Sequence, residues 1–331
     1  MKRRKFIEQI GIGTAATILP TTLLSFTPSI SLEGGKPLNF GIVSDVHKDL
    51  MPDANERLET FIQEAQERNV DFIIQMGDFC FGEEKNKGFM KIWEAFKGPK
   101  YHILGNHDMD RDSKAEIMDF WEMPKNYYSY DFGGYHFVVL DANFLYQDGK
   151  YTDYKHANFY VDESLRAFVN DKQVAWFKAD LETTKLPTIV FSHQSVWHTV
   201  GNRLAIQKIM ESHKEKIICS LNGHSHSDYH HTQNGVEYLG INSMSYQWVS
   251  GKFESTERFP KEFYKEYGNL HHIAGYEDPL YAFATLKPKG VMKIEGVKSK
   301  WIEPSPYKMN TPDYKRQFKE FIQISDSKIK F

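Results

Sequence analysis

Cysteine is scarce: Cys80 and Cys219 are the only two in 331 residues, too few to staple a chain of this length with a disulfide framework. Both read as small buried side chains, with a place near a metal for Cys80 and a Cys80–Cys219 bridge as the alternatives. A strong excess of one charge is missing too. The formal net charge is -3, and four of the positive charges (Lys2, Arg3, Arg4, Lys5) stand in the first five residues. Without residues 1–31 the chain keeps 37 basic and 43 acidic residues, a net of -6. Such a body exerts no global pull on polyanions, so a long nucleic acid is not expected as substrate. Past residue 31 no run is long and apolar enough to span a bilayer, and no stable membrane span is expected in a mature chain. Low-complexity tracts and internal repeats are absent as well. What remains is 40% hydrophobic and 26% charged, the make-up of a globular protein able to bury a sizeable core. Aromatics reach 15%, and packing is their first use.

The first residues read as an address. A basic start, Lys2-Arg3-Arg4-Lys5, runs into a mildly apolar stretch through Phe6, Ile7, Ile10, Ile12, Ile18 and Leu19 to Leu23-Leu24, the build of a signal peptide. The segment Arg3-Arg4-Lys5-Phe6-Ile7 resembles a twin-arginine export signal, with Gly11, Gly13, Thr14 and Thr17 softening the hydrophobic region. Ser29-Ile30-Ser31 is the best small-x-small cleavage candidate. Residues 1–31 are therefore expected to be an export signal and the protein to work in the periplasm or outside the cell.

From residue 38 the pattern runs strand, loop, helix, strand. Leu38 to Ser44 is apolar and β-rich; Leu58, Phe61, Ile62 and Ala65 recur at helical spacing; Phe72 to Met76 is apolar again. Phe89, Ile92 and Phe96 suggest a second helix before a strand through Tyr101 to Leu104, which continues the parallel α/β style. The style then changes. Gly133-Gly134 joins Tyr128–Phe132 to Tyr135–Asp141 as a hairpin. A helix through Val174, Phe177 and Leu181 precedes the strand 188–192, and a helix over 202–213 precedes the strand 217–221. Strands flank Asn234-Gly235, and Phe283–Leu286 pairs with Val291–Ile294. The fold class expected is mixed α/β, with two packed mixed sheets and helices outside. The stretches 143–170 and 246–276 are long for plain connections and are expected to overhang a site.

Polar clusters fall just past the carboxyl ends of these strands: Asp45-Val46-His47, Gly77-Asp78, Gly105-Asn106-His107-Asp108, His193, and Gly223-His224-Ser225-His226. Sites of open α/β sheets assemble at that edge, so clusters far apart in sequence can converge. Carboxylate, amide oxygen and imidazole together suit first-row divalent metals. By contrast, His102 and His136 read as strand residues with satisfied rings, and His230, His231, His271 and His272 as surface or loop residues.

The ordered series Asp-x-His, Gly-Asp, Gly-Asn-His-Asp, His, Gly-His-x-His resembles the calcineurin-like metallophosphoesterase family over residues 45 to 226. The resemblance implies a four-layer sandwich over residues 36–302, with 303–331 as a C-terminal extension. It implies further that Asp45, His47 and His226 hold one metal, that Asn106, His193 and His224 hold a second, and that Asp78 bridges them. His107 would then protonate the leaving group, with Asp108 nearby. Two cations about 3.5–4 Å apart clamp phosphoryl oxygens and make hydroxide available near neutral pH as the nucleophile. Iron, manganese, zinc and mixed pairs all accept these ligands.

One departure narrows the substrate. Purple acid phosphatases carry an iron-binding Tyr three residues after the Gly-Asp aspartate, and protein phosphatases carry Asp-Arg in that region; this chain has Phe81-Gly82. A phenyl ring cannot ligate a metal. The expected function is hydrolysis of small phosphoesters, mono- or diester, by a dinuclear centre. The alternatives are a cyclic-nucleotide phosphodiesterase and, in another class, a non-catalytic metal-binding scaffold. The sequence sets no oligomeric state.

A metalloenzyme exported folded can load its metals before crossing the membrane, so replacing Arg3 and Arg4 together by Lys is expected to strand the protein inside the cell. Unchanged secretion of that variant in cell fractions would instead favour the general secretory route.

Overall fold

The computed structural model of the protein describes residues 35–310 and 317–331; the expected export signal, 1–31, lies outside the described residues. Along the chain come β1 (Leu38–Val43), α1 (Ala54–Glu67), β2 (Phe72–Gln75), α2 (Lys87–Glu94), β3 (Lys100–His102) and α3 (Lys114–Phe120). They are followed by the hairpin β4 (Tyr128–Phe132) and β5 (Tyr135–Leu140), a small ribbon of β6 (Phe144–Gln147) and β7 (Lys150–Asp153), then α4 (Asp171–Thr183), β8 (Thr188–Ser192), α5 (Arg203–Ser212) and β9 (Ile217–Asn222). β10 (Tyr229–Gln233) and β11 (Val236–Gly240) form the Asn234-Gly235 hairpin. The last part holds β12 (Tyr246–Trp248), the short α6 (Phe263–Glu266), β13 (Ile273–Gly275), β14 (Ala282–Lys287), β15 (Val291–Gly296), β16 (Lys298–Ser299), β17 (Ile322–Gln323) and β18 (Ser327–Lys330).

Two six-stranded sheets result, in the orders β18-β15-β14-β1-β2-β3 and β10-β11-β9-β8-β5-β4. Both are mixed. β1, β2 and β3 run parallel in the first, and β5, β8, β9 and β11 run parallel in the second. Their facing sides share one apolar core, in which Phe40 stacks on Phe72 with centroids 4.7 Å apart and Phe137, Phe191 and Leu221 close the other side. The opposite faces take the helices: Leu58, Phe61 and Trp93 of α1 and α2 pack on Val43 and Ile73, and Phe177, Leu181, Ile206 and Met210 of α4 and α5 on Val138 and Val190. The order helix, sheet, sheet, helix is the expected four-layer mixed α/β architecture.

Local chemistry explains the elements. In α1 the buried residues Leu58, Phe61, Ile62 and Ala65 form one stripe, each large one adding about 1.5–3 kcal/mol when taken from water. The helix ends where Asn69 turns left-handed at φ 51°, a conformation Asn tolerates better than most residues. At α4 the Asn170 side chain accepts from the Gln173 N–H at 2.9 Å and caps the first turn.

The segment 143–170, expected as a long loop, contains the β6–β7 ribbon. Its turn is Asp148-Gly149, at φ 51° and 77°, the same Asx-Gly signal that marks Asn234-Gly235. Among the residues set apart as an extension, 303–331, Ser327–Lys330 adds an edge strand to the first sheet and buries Ile329. The Cys80–Cys219 bridge does not exist: both thiols are free and buried, Cys219 in the core between the sheets and Cys80 under α2. No helix among the described residues is long and apolar enough to cross a membrane.

His102 and His136 are satisfied strand residues. The His102 ring meets Gln75 at 3.0 Å and Trp93 at 3.1 Å. His136 lies between Asp131 at 2.6 Å and Asp180 at 2.8 Å, so both ring nitrogens donate and the ring is an imidazolium. Burial works against that charge, but the two carboxylates outweigh it and raise the pKa. A raised folded pKa stabilises below the unfolded value, about 6.5, and the contribution fades as pH climbs through the folded value. Asp180→Asn is therefore expected to cost on the order of 1 kcal/mol at pH 5 to 6 and progressively less at higher pH, measured by urea unfolding across the range. A pH-independent difference would exclude the charge as its source.

Candidate metal centre

Every polar cluster sits where a parallel strand ends. Asp45 and His47 follow β1, Asp78 follows β2, Asn106 and His107 follow β3, His193 follows β8, and His224 and His226 follow β9. The chain turns sharply at these ends. Asp45 (φ 52°), His47 (51°), Asp78 (53°), His224 (64°) and His226 (45°) are all left-handed, a strained state for residues with a Cβ that gathers at functional sites. Main-chain bonds hold the turns together: Asp45 N–H donates to Gly77 O at 3.0 Å and His47 N–H to Asp78 O at 2.9 Å. Glycine is required beside them. A Cβ on Gly105 would fall on the Asp78 main chain and carboxylate, and one on Gly223 would fall on the Ser44 hydroxyl.

The structure gathers two groups of three ligand side chains, Asp45 with His47 and His226, and Asp78 with His193 and His224, each with its ligand atoms within 4.8 Å of one another. Asp45 Oδ1 lies 3.2 Å from His226 Nε2. Asp78 Oδ2 lies 3.1 Å from His193 Nε2 and 3.6 Å from His47 Nε2, so one oxygen reaches both groups. The other, Oδ1, accepts from the His107 N–H at 2.8 Å. Imidazoles are turned by what holds their far nitrogen: His193 Nδ1 donates to Met76 O at 2.7 Å and His226 Nδ1 to Tyr246 O at 2.8 Å, which leaves each Nε2 a lone pair facing the cluster. His47 Nε2 and His226 Nε2 face each other at 3.3 Å.

Three buried atoms have no hydrogen-bond partner here: Asp45 Oδ1, Asn106 Oδ1 and His193 Nε2. Leaving a buried polar atom without a hydrogen bond costs about 1–3 kcal/mol, and Asp45 Oδ1 and His193 Nε2, only 4.0 Å apart, point to a cation that satisfies both. Electrostatics agree. Burial alone would raise Asp45, but the His226 and His193 rings hold it down at about 2, and Asp78 is held well below the carboxylate range against the same penalty by His193 and His107. Burial pushes His47 and His224 down to about 3, so these rings are neutral. Ionised carboxylate and neutral imidazole are the forms that bind metals. At His193 burial is outweighed by Asp78 and Asp45, which raise it to about 9; the positive charge those carboxylates demand is one a divalent cation supplies.

His107 and Asp108 part company. Burial opposes charge on His107, but Asp78 and a 2.8 Å bond from Nδ1 to Asp110 Oδ2 raise it to about 9. The ring sits at the cavity wall. Asp108, set beside it by the sequence reading, spends both oxygens on main-chain N–H groups: Oδ2 accepts from Asp78 at 3.0 Å and Gly105 at 2.7 Å, Oδ1 from Phe79 at 2.6 Å. It ties the ends of β2 and β3 together, while the residue borders the same cavity as His107, next to which it was expected. Asp110 was missed, although its position three residues after His107 was legible.

A cavity of about 490 Å³ opens beside the cluster, lined by His47, Asp78 and His107 together with Lys48, Lys85, Arg111, Tyr160 and Trp248. The two long segments do border it: Tyr160 comes from one, Trp248 and Glu266–Asn269 from the other. Trp248 and Tyr160 lie 6.0 and 6.3 Å from the His107 ring. Phe81 also lines the cavity, with Lys85 and Arg111 near its face at 6.0 and 5.6 Å.

Two mixed sheets in a four-layer sandwich, with carboxylates and imidazoles meeting at their strand ends, define a metallophosphoesterase. Residues 38–228 match the family described as calcineurin-like phosphoesterase; they make up more than half of the chain, which belongs to that family. Two curated relatives are named manganese-dependent ADP-ribose/CDP-alcohol diphosphatase. The Arabidopsis thaliana protein is 25% identical over 225 residues, 53% of this chain and 71% of its own length. The Oryza sativa protein is 29% identical over 130 residues, and the match spans 31% of this chain and only 40% of the rice protein. Among solved structures, a dimetal phosphatase from Danio rerio aligns at TM-score 0.56 and 16% identity, over 80% of this chain and 98% of its own. GAP50, the anchor in the inner membrane complex of Plasmodium, aligns at 0.52 and 16%, over 81% and 86%. These two likenesses show the fold.

With Asp78 Oδ2 between the two groups, Asp78→Ala is expected to lose both metals, whereas His226→Ala loses mainly one. Elemental analysis decides it, and an Asp78→Ala protein that keeps two tight ions would sink the bridging role.

Proposed function

We propose that the chain is a metal-dependent hydrolase of small phosphoesters, and that its preferred substrates join two phosphates in a diphosphate linkage. The observation that carries the reading is the meeting of Asp45 Oδ1 and His193 Nε2, 4.0 Å apart and buried without a hydrogen bond, beside an Asp78 oxygen that reaches both histidine groups. Asp45, His47 and His226 would hold one cation and Asn106, His193 and His224 the other, with Asp78 shared. When bound, two such cations offset charge on phosphoryl oxygens and lower the pKa of water toward neutrality. The curated relatives' names favour manganese and a diphosphate substrate; the export expected from Arg3 and Arg4 is proposed on the sequence pattern alone.

The protein's own residues supply the rest. His107 is anchored by its N–H to Asp78 and by Nδ1 to Asp110, which leaves Nε2 to protonate the leaving oxygen. Asp110 is a positioning residue for that ring. Lys48, Lys85 and Arg111 line the same cavity and offer local positive charge to a second phosphate, although Lys85 is shared with Asp49 at 3.0 Å and Glu83 at 2.8 Å. Tyr160 and Trp248 give an aromatic wall on which a base can stack.

The test is a panel with Mn²⁺: ADP-ribose and a CDP-alcohol beside bis-p-nitrophenyl phosphate, cyclic AMP, p-nitrophenyl phosphate and an alkyl phosphate. The diphosphates are expected to show the highest kcat/KM. Turnover confined to cyclic AMP would replace the substrate class, and stoichiometric metal without turnover on any ester would leave a scaffold. On the same panel His107→Asn should keep both ions and lose on the order of 10² to 10⁴ in rate on the alkyl phosphate, with a much smaller loss on p-nitrophenyl phosphate, whose leaving group departs unaided. Equal losses on both would show that His107 orients the phosphate and does not protonate.

A further inference from the structure

A third group of metal-ligating side chains meets away from the strand ends, at the neck of the long segment between β12 and β13. Glu254 follows the 3-10 turn Gly251–Phe253, and His271 and His272 belong to the turn Leu270–His272. One oxygen of Glu254 and one nitrogen of each ring lie within 4.8 Å of one another. Glu254 Oε1 is 3.4 Å from His272 Nδ1, and the two imidazole centroids are 3.8 Å apart. The two sides of the neck are brought together by the main chain, since Val249 N–H donates to His272 O at 2.8 Å and Ser255 N–H to His271 O at 3.2 Å. The carboxylate itself is steadied by the Gly251 N–H, which donates to Oε1 at 2.9 Å.

Two imidazoles and a carboxylate within reach of one point suit a borderline first-row cation such as Zn²⁺, and solvent reaches the group to complete the coordination. We propose that Glu254, His271 and His272 form a further divalent-cation site, separate from the central pair, and that an ion there pins the neck of segment 255–270. That segment carries Glu266, Tyr267, Gly268 and Asn269, which line the cavity beside His47 and His107. An ion holding Glu254 to the two histidines removes open states of the loop between them and so holds one wall of the cavity in place. No ligand is shared with the strand-end clusters, so the site stands whether or not the proposed reaction does.

The experiment is equilibrium dialysis of the whole protein against Zn²⁺ followed by elemental analysis, with trypsin cleavage at Lys261 and Lys265 as a second readout. The His271→Ala/His272→Ala double variant should bind one ion fewer than the unaltered chain. Asp78→Ala, stripped of the central pair, should still bind one, which separates failure of this site from failure of the central one. In that Asp78→Ala background, Zn²⁺ at about 100 times its Kd should slow loop cleavage by as much as roughly 100-fold, and adding the two histidine changes should abolish the protection. Equal ion counts with and without His271 and His272, or cleavage indifferent to Zn²⁺, would overturn the proposal.

Discussion

Two buried carboxylates, Asp45 and Asp78, govern this structure. Each is removed from water, and a bare carboxylate in such a place is strongly disfavoured. The imidazoles of His47, His193 and His226 crowd around them at 3.1 to 4.0 Å, and still Asp45 Oδ1 and His193 Nε2 complete no hydrogen bond, although each lies within ion-pair distance of a partner. A positive charge completes the arrangement. The surrounding fold serves to bring these side chains from four strand ends to one place, with far atoms already engaged by Met76 O, Tyr246 O and the His107 main-chain N–H.

That demand explains features that look costly in isolation. Left-handed turns at five ligand-type residues are strained, and each costs on the order of 1–3 kcal/mol; they persist because a strand that stopped in extended geometry would aim alternate side chains to opposite faces. Asp108 illustrates the support around the cluster. Its carboxylate accepts from Asp78, Phe79 and Gly105 and so fixes two strand ends to each other at the level of the main chain. Ser243 and Ser245 do the same on the other side, donating to the carbonyls of Asp45 at 2.8 Å and Val46 at 3.1 Å.

The cavity beside the strand ends is walled by more than the cluster itself. Its wall mixes Lys48, Lys85 and Arg111 with Tyr160 and Trp248, and only the two aromatic residues come from the long segments. The central cluster depends on short turns that tolerate little change, whereas the wall depends on segments whose shape is set by their own ribbons and by their contacts with the rest of the fold.

Much was legible in the sequence because it is local. Apolar periodicity placed β1, β2, β8 and α5 within a residue or so and marked the buried stripe of α1, and the polar clusters at strand ends marked where Asp45, Asp78, Asn106, His193 and His224 would stand. Residue type at a spacing carries that information, since strand and helix periods are short. The β6–β7 ribbon was missed despite its Asp148-Gly149 turn, because polar edge residues such as Gln147 and Asp153 dilute the alternation. Tertiary structure alone decided that Asp108 spends its carboxylate on main-chain N–H groups, although it borders the same cavity as the adjacent His107. It also paired Asp110 with His107, brought Glu254 to His271 and His272 and kept Cys80 and Cys219 in separate cores. Sequence sets which groups a chain can offer; which atoms they meet depends on long-range packing, and no local pattern encodes it.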